Sequence, residues 1–340
     1  MTELEDGKKN RAALDLLIRG FQVSRMIRLV ADLGVADKIA ENDRCDIREL
    51  AKACAVLPTP LLRVLRALAA FGIFRVTADG MVAHSPQSWL LRADVPQSLY
   101  YDARFWATPG PWTAWGALDA ALTGKTPHEV AWNTGRVSDL REHPDEARLF
   151  DAFMAHFPDE RHNAVATSYD FSGAKLIADI GGGNGETLRR ILARFPAPRG
   201  LVFDLKDVVE AITPSECLDG RIAVQAGSFF DGVPAAADIY LLIRVLHNWS
   251  DEDCVRILRA LRGAMPADAR VLIVDHILEA DPAIGHPTDY LLDMQMMAMF
   301  GSARARTEAE FGDLLGAAGL EASRVIRTPS PVSIIEALPK

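Results

Sequence analysis

Apolar residues recur at helical spacing over the first part of the chain. The pattern begins at Leu14 and continues to Gly34, and it predicts a long helix. Its apolar side chains cover most of the helix surface rather than one stripe. Such a helix needs burial on several sides, either within its own domain or against another chain.

Two further helices and a hairpin are predicted after it. Asp46 caps the first of these helices, the second runs over 59–72, and residues 74–83 alternate about an Asp-Gly turn. Together they predict a winged-helix unit within residues 1–100, which either binds DNA or serves as a dimerisation scaffold. The second helix is mostly apolar and this region is nearly neutral, which favours the scaffold.

Residues 101–165 are interpreted as a helical linker. This region is rich in tryptophan and includes a predicted helix over 145–157. Aromatic residues at such density usually form a core. The alternative is that the linker also contributes to the wall of an aromatic pocket.

From residue 166 onward the pattern changes to short buried strands alternating with amphipathic helices. Strands are predicted over 175–180, 200–204 and 237–246, and the first is followed by a glycine turn and a helix. This alternation predicts an α/β domain over 166–340 with a largely parallel sheet. In such sheets ligands bind outside the carboxyl ends of the strands.

The glycine turn at 181–185 distinguishes between two kinds of nucleotide-like ligand. A dinucleotide fingerprint requires G-x-G-x-x-G, which fails here because Asn184 or Glu186 occupies a glycine position. The frame acidic-x-G-x-G-x-G from Asp179 fits at every position and is typical of S-adenosylmethionine loops. Glu186 at the helix start would also repel a pyrophosphate, whereas S-adenosylmethionine carries no phosphate.

Other candidate residues lie at the same edge of the predicted sheet. Asp204 ends the next strand, where a carboxylate can accept the hydroxyls of a ribose, unless it only caps the following helix. Ser228 and Phe229 follow a further strand, where an adenine would lie. His247 ends the strand predicted over 237–246, so a possible base and the glycine turn share one rim.

Composition excludes several classes of protein. The net charge of −9 arises outside residues 1–100, which argues against nucleic acid as a partner. No run of about 18 uncharged apolar residues indicates a membrane span, and basic residues interrupt any secretory signal. The four cysteines and the histidines lack metal-binding spacing. A cytoplasmic enzyme without a metal is therefore expected.

The sequence resembles the small-molecule O-methyltransferases of the plant caffeic acid type and their bacterial relatives. The motifs that carry the resemblance are Asp179–Gly185, Phe203–Leu205, Gly227–Phe230, Leu246–Glu252 and Arg306–Phe311. It implies a Rossmann-like seven-stranded methyltransferase domain preceded by a mostly helical winged-helix dimerisation domain. It also implies a homodimer, a small aromatic substrate, and S-adenosyl-L-methionine as cofactor with S-adenosyl-L-homocysteine as product.

Residue roles follow from the matched motifs. The resemblance implies that His247 is the general base and that Asp275 orients it, while the neighbouring His276 is a rival base. A histidine titrates near pH 6.5, so it is largely unprotonated at neutral pH and able to accept a phenolic proton. The cofactor-binding residues implied are Asp179, Gly181, Gly183, Asp204, Leu205, Ser228, Phe229 and Arg244.

The chain departs from the family pattern at three positions. Ser228 replaces the usual aspartate of the adenine motif, Asp275 stands where plant members have glutamate, and Ala305 replaces a second acid. The support that orients the histidine is therefore thinner. Residues in regions that line the family's substrate pocket are Phe153, Met154, Phe157, Asp293, Met294 and Met297, although methionine clusters are more often core.

The leading hypothesis is O-methylation of a phenolic or polyketide-like molecule in secondary metabolism. The missing acid at Ala305 keeps open N-methylation of an aromatic heterocycle, or a relative with changed cofactor-dependent chemistry. A nucleophilic nitrogen needs no base, so removal of His247 distinguishes these enzymes. A ligand-responsive DNA-binding protein that uses the winged helix is the hypothesis from another class.

Overall fold

The computed structural model describes residues 3–156 and 160–340. Phe157, which was predicted to line the substrate pocket, lies outside the described residues. The helices are α1 (Glu3–Ile18), α2 (Gly20–Asp32), α3 (Ile47–Ala53), α4 (Pro58–Ala69), α5 (Pro86–Trp89), α6 (Tyr100–Phe105), α7 (Pro109–Gly116), α8 (Pro127–Trp132), α9 (Arg136–Glu142), α10 (Pro144–His156), α11 (Glu160–Ser168), α12 (Glu186–Arg194), α13 (Lys206–Val209), α14 (Asp251–Ala264), α15 (Pro287–Phe300) and α16 (Glu308–Ala317).

Short strands accompany the first helices, and a large sheet follows. The strands are β1 (Cys45–Asp46), β2 (Arg75–Val76), β3 (Met81–Ala83), β4 (Leu176–Ile180), β5 (Arg199–Asp204), β6 (Ile222–Ala226), β7 (Ile239–Ile243), β8 (Arg270–Asp275), β9 (Ile277–Leu278), β10 (Arg306–Thr307), β11 (Leu320–Arg327) and β12 (Ser333–Pro339).

The chain forms two compact units. The N-terminal unit contains the described residues up to Thr113 and those of α9 and α10, and the C-terminal unit contains Ala114–Gly135 and the chain from α11 to Lys340. The segment predicted as a linker is therefore divided between the two units. The three-part division at residues 100 and 165 stays a prediction.

In the N-terminal unit, α3, α4 and the strands β1, β2 and β3 form the predicted helix–helix–hairpin arrangement. Asp46 caps α3, because its side chain accepts a hydrogen bond from the N–H of Arg48 at 2.8 Å. Leu65 and Phe74 pack with their neighbours into a small core. Val30 of α2 is also part of this core.

The long helix predicted from Leu14 to Gly34 is two helices in the structure. α1 ends at Ile18 and α2 begins at Gly20, and a glycine weakens a helix interior by about 1 kcal/mol relative to alanine. The apolar side chains of α1 and of the start of α2 stay exposed, with Leu17 at 77% and Phe21 at 58%. Burial within the chain therefore does not account for them.

The C-terminal unit is built on a seven-stranded sheet with the order β11-β12-β8-β7-β4-β5-β6. The strands from β8 to β6 are parallel, and β12 pairs antiparallel with both β8 and β11. The predicted seven-stranded Rossmann-like domain is confirmed. The strand order reverses between β4 and β7, which makes the carboxyl ends of these strands the place where such a sheet binds ligands.

Alternate residues of the sheet face two cores. Leu242 packs on one face with Leu258 of α14 and Phe311 of α16, whereas Leu241 packs on the other face with Leu188 of α12. Both faces are covered, so the sheet edge with the strand ends is where polar side chains can gather. No helix among residues 3–156 and 160–340 is both long and apolar enough to cross a membrane.

Candidate active site

The glycine loop between β4 and α12 adopts backbone conformations that suit glycine. Gly181, Gly183 and Gly185 have φ angles of +69°, +57° and +79°, which side-chain-bearing residues rarely adopt. Space is also restricted, since a Cβ on Gly181 would lie 2.9 Å from Val245 Cγ2 and one on Gly185 would lie 2.8 Å from Val202 Cγ2. The loop therefore presents bare backbone at the sheet edge.

Asp179, at the end of β4, is buried beneath this loop. A Cβ on Gly182 would lie 2.7 Å from the Asp179 carboxyl carbon. Burial raises the pKa of Asp179 to about 7, and the negative charge of Asp204 adds to this effect. Its Oδ1 atom has no hydrogen-bond partner among the described residues.

Asp204 closes the other side of the loop. Its Oδ2 accepts a hydrogen bond from the N–H of Gly183 at 2.9 Å, and its Oδ1 accepts one from the N–H of Leu205 at 2.7 Å. The Leu205 side chain beside it is exposed. The predicted cofactor residues at the ends of β4 and β5 are thus brought together around one loop.

An adenosyl sulfonium with an amino-acid tail fits these residues. An unpaired buried carboxylate oxygen costs free energy, which a ligand's ammonium or hydroxyl donor recovers. Asp179 Oδ1 offers such an oxygen. The bare backbone at Gly181 and Gly183 allows close approach, and no basic side chain is needed because this ligand has no phosphate.

Phe229 lies next to the glycine loop. Its Cε1 atom is 3.7 Å from the position of a Cβ on Gly181. Its ring also packs edge-on against Trp249 with centroids 5.7 Å apart. Ser228 Oγ accepts a hydrogen bond from the N–H of Phe230 at 3.3 Å. The structure therefore brings Phe229 to the loop and places Ser228 next to it.

His247 lies in a short 3₁₀ turn, Leu246–Asn248, that follows β7. Its Nδ1 is 3.0 Å from Asp275 Oδ2, and its Nε2 is 3.3 Å from Nη2 of Arg244. The strand predicted to reach residue 246 ends at Ile243 instead. Arg244 then takes a φ of +57°, so the extended conformation stops there and the chain turns.

Asp275 ends β8 and is fully buried beside the imidazole. Burial alone would raise the pKa of this carboxyl. The charge of His247, its hydrogen bond, and the charge of Arg244 outweigh burial and hold the pKa of Asp275 below its ordinary value. Its Oδ1 accepts a hydrogen bond from the N–H of His276 at 2.9 Å. Asp275 is thus an ionised carboxylate that holds His247 Nδ1.

Arg306 stabilises the His247 turn from beneath. It is fully buried, and its guanidinium donates hydrogen bonds to the carbonyls of Leu246 at 3.0 Å and Trp249 at 2.8 Å. The same group binds Asp251 Oδ1 at 2.7 Å. The two carbonyls flank His247, so Arg306 fixes the backbone on both sides of it.

Sequence reasoning included Arg306 only as part of a motif and gave it no role. Its place just before the Thr307-capped helix α16 was the available signal, but its partners are about 55 to 60 positions away in the chain. The adjacent Arg304 was also missed. Its N–H donates to the carbonyl of His247 at 3.0 Å.

Ala305 is buried between these two arginines. It has no carboxyl to offer the imidazole. Its N–H donates to Asp293 Oδ1 at 2.7 Å, so the carboxylate of α15 anchors the backbone at this position. Among residues 3–156 and 160–340, Asp275 is the acid that contacts the imidazole.

The remaining substrate candidates lie in both units. In the N-terminal unit, Phe153 is buried and stacks on Phe105 with centroids 4.4 Å apart, whereas Met154 is 43% exposed. In the C-terminal unit, Met294 and Met297 are half-buried on α15 together with Asp293. Their role in lining a substrate pocket stays a prediction.

Comparison with known proteins establishes the family. Residues 115–321 match the O-methyltransferase domain model, and residues 16–94 match the O-methyltransferase dimerisation domain model. The chain belongs to the O-methyltransferase family. It is an S-adenosylmethionine-dependent O-methyltransferase, as the resemblance had implied, and its winged-helix unit matches a dimerisation domain.

Three similar proteins span nearly the whole chain. Phenazine O-methyltransferase PhzM of Lysobacter antibioticus is 35% identical over 329 residues, which cover 95% of this chain and 94% of that protein. The structure of mitomycin 7-O-methyltransferase MmcR is 32% identical, with a TM-score of 0.86 and coverage of 99% and 100%. The O-methyltransferase NcsB1 from neocarzinostatin biosynthesis, solved with S-adenosyl-L-homocysteine and 1,4-dihydroxy-2-naphthoic acid, is 30% identical, with a TM-score of 0.76 and coverage of 93% and 96%.

Proposed function

We propose that this O-methyltransferase methylates a hydroxyl group of a small aromatic metabolite and that His247 is its general base. The observation that carries the proposal is the His247–Asp275 pair at the carboxyl ends of β7 and β8. The glycine loop lies at the same edge, after the neighbouring strand β4. The base and the cofactor loop therefore share the edge at which such a sheet binds its ligands.

The chemistry requires alignment and one proton acceptor. When bound, S-adenosylmethionine supplies a sulfonium methyl group, whose C–S bond breaks as the new C–O bond forms. His247 accepts the hydroxyl proton, which makes the oxygen a better nucleophile than a neutral phenol. Asp275 holds the imidazole in one orientation and stabilises it once it is protonated.

The cofactor would be held by the loop residues. Asp179 would offer its unpaired Oδ1, and Asp204 would accept hydrogen bonds from the ribose hydroxyls. The bare backbone at Gly181 and Gly183 would allow the ligand to approach closely. Leu205, Ser228, Phe229 and Arg244 complete the proposed cofactor site.

An aromatic hydroxyl is supported by the related proteins. NcsB1 was solved with a dihydroxynaphthoic acid, and PhzM is named for a phenazine. We extend this substrate class to the present chain, in secondary metabolism. Phe153, Met154, Phe157, Asp293, Met294 and Met297 are the proposed contacts, because flexible methionine and flat aromatic side chains suit a planar apolar ligand.

The working form is proposed to be a homodimer in the cytoplasm. The exposed apolar residues of α1 and α2, which include Leu17 and Phe21, lie in or near the segment that matches the dimerisation domain. Contact with a second copy would bury them. Cys45, Cys54, Cys217 and Cys254 are free thiols, which is typical of a reducing compartment.

The test is His247→Ala with His276→Ala as a matched control. Methyl transfer to a panel of phenols and hydroxynaphthoates is measured beside calorimetric binding of S-adenosylhomocysteine. We expect turnover to fall by roughly a hundred- to ten-thousand-fold in His247→Ala with binding retained, and to change little in His276→Ala. A loss below about tenfold in His247→Ala would contradict the base role and favour a nucleophile that needs no base.

A further inference from the structure

Arg244 is held in an unusual conformation beside the proposed base. Its φ of +57° is uncommon for a residue with a side chain. Neighbouring groups hold it there, since its N–H donates to the carbonyl of Val274 at 2.9 Å and its own carbonyl accepts from Asn248 Nδ2 at 3.1 Å. Strained residues held in this way are frequent in functional sites.

The strained backbone directs the guanidinium to the imidazole. Nη2 of Arg244 lies 3.3 Å from Nε2 of His247. An arginine side chain has donors only and keeps its charge, so Nε2 must be the acceptor and carry a lone pair. The proton of the neutral ring then resides on Nδ1, where Asp275 Oδ2 accepts it at 3.0 Å.

One cation and one anion thus contact the ring, from the ends of β7 and β8 respectively. Several other charged or titratable groups near this turn have contacts of their own. Arg304 pairs with Asp251 and Glu310, Arg306 binds Asp251, the Cys254 thiol donates to the carbonyl of Leu246, Asp293 accepts from Ala305, and His276 donates its N–H to Asp275.

We propose that Arg244 is a positioning residue that keeps His247 neutral, with its proton on Nδ1 and its lone pair on Nε2 facing the incoming hydroxyl. A cation in contact with Nε2 disfavours a second proton on the ring. The role in catalysis depends on the function proposed above. The effect of Arg244 on the ring does not.

The proposal defines the proton path. The incoming hydroxyl displaces the guanidinium from Nε2 of His247. Its O–H bond breaks, an N–H bond forms on Nε2, and the oxygen electron pair enters the new C–O bond. The imidazolium that results is repelled by Arg244 and releases its proton to solvent, which restores the neutral ring.

The direct test uses NMR of histidine-labelled protein without substrate. The ring signals of His247, assigned with His247→Asn, are titrated in the unmodified protein, Arg244→Gln and Arg244→Lys. We expect the proton on Nδ1 in the unmodified protein and a titration midpoint about one pH unit higher in Arg244→Gln. Arg244→Lys keeps the charge and should stay near the unmodified midpoint. An unchanged midpoint and tautomer in Arg244→Gln would overturn the proposal.

Arg244→Gly is the second variant, because glycine accepts the positive φ and should fold even if glutamine does not. It should show the same upward shift. In turnover, the acidic limb of the kcat/KM profile should move upward in both neutral variants and not in Arg244→Lys. A rise in KM for the cofactor without movement of that limb would reduce Arg244 to a cofactor contact and refute the inference. If no phenol is methylated but the ring titration responds, the proposed function fails and this inference stands.

Discussion

The glycine loop at 181–185 and the turn that carries His247 follow neighbouring strands, β4 and β7, but different kinds of contact fix them. Backbone conformations that suit glycine shape the loop within a few contiguous residues, as the positive φ angles of Gly181 and Gly183 show. Side chains from distant segments hold the turn, namely Asp275 and Arg306. The backbone conformation of the proposed cofactor loop is therefore largely set by its own glycines, whereas the position of the proposed base depends on the completed fold.

The largest expected effect tests the steric argument. In Gly181→Ala the new Cβ meets Val245 at 2.9 Å and the φ is +69°, whereas Gly183→Ala has a φ of +57° but nothing within 4 Å. Strain alone costs about 1–2 kcal/mol, or about tenfold. We expect calorimetric affinity for S-adenosylhomocysteine to fall about a hundredfold or more in Gly181→Ala and about tenfold in Gly183→Ala. Equal losses would show that local space does not shape the loop.

Arg306→Met tests the long-range argument. The substitution removes the guanidinium that donates hydrogen bonds to the carbonyls of Leu246 and Trp249. Breaking a buried network by removing one partner costs about 3–5 kcal/mol. We expect kcat to fall by about thirtyfold or more, because a displaced base loses its alignment, while S-adenosylhomocysteine binding changes little. Arg304→Gln, which alters a more exposed side chain, is the control and should keep most activity. Matched losses of kcat and binding in Arg306→Met would mean that the proposed cofactor loop and the proposed base are not separable.

A pH dependence of stability should arise on the cofactor side. Because the folded pKa of Asp179 is raised from 3.8 to about 7, the folded protein binds more protons than the unfolded chain between these values. Stability without cofactor therefore falls as pH rises through this window, by up to about 4 kcal/mol, and is flat above it. Thermal melting from pH 4 to 8 checks this, and Asp179→Asn should lose that component of the slope. If Asp179→Asn keeps the pH dependence of the unmodified protein, another group must cause that dependence.

The smallest expected effect concerns the adenine side. Ser228→Asp restores the acid usual in the resembling family, and one added hydrogen bond contributes about 1 kcal/mol. We expect S-adenosylhomocysteine to bind about threefold to tenfold more tightly, with kcat unchanged. Ser330→Asp, on a loop after β11, serves as a charge-matched control. Weaker binding in Ser228→Asp would indicate that this residue does not face the adenine.

The residues of this site that could be predicted from the sequence belong to short local motifs. The acidic-glycine frame from Asp179, the acid at Asp204 and the histidine at 247 were all predicted, because each lies at or just after the end of a strand within a short motif. The end of β7 was predicted three residues too late, since the apolar run continues through Val245 and gives no sign of the positive φ at Arg244. Apolar pattern alone cannot report a backbone that neighbouring groups hold in strain.

Other features depend on contacts that no local pattern records. Arg306 had no predicted role because its partners come from a segment more than 50 residues earlier. The sequence predicted that the first helix needs burial on several sides. It did not indicate whether its own domain or another chain would cover it. Phe153 and Met297 are of residue types that occur both in cores and in substrate pockets, so their proposed role in the pocket stays a prediction.

The hydrogen bond from the N–H of Ala305 to Asp293 has a practical consequence for altering substrate preference. On α15, Asp293 anchors the backbone at Ala305. The side chains of the nearby Met294 and Met297 on the same helix form no such hydrogen bond with the described residues. Because Met294 and Met297 are proposed substrate contacts, a mutant library that varies them is expected to change acceptor choice at little cost to turnover. A library that also varies Asp293 would remove the hydrogen bond that anchors the backbone next to Arg306. Variants selected from it would then gain selectivity but lose turnover, because the proposed base would be held less firmly.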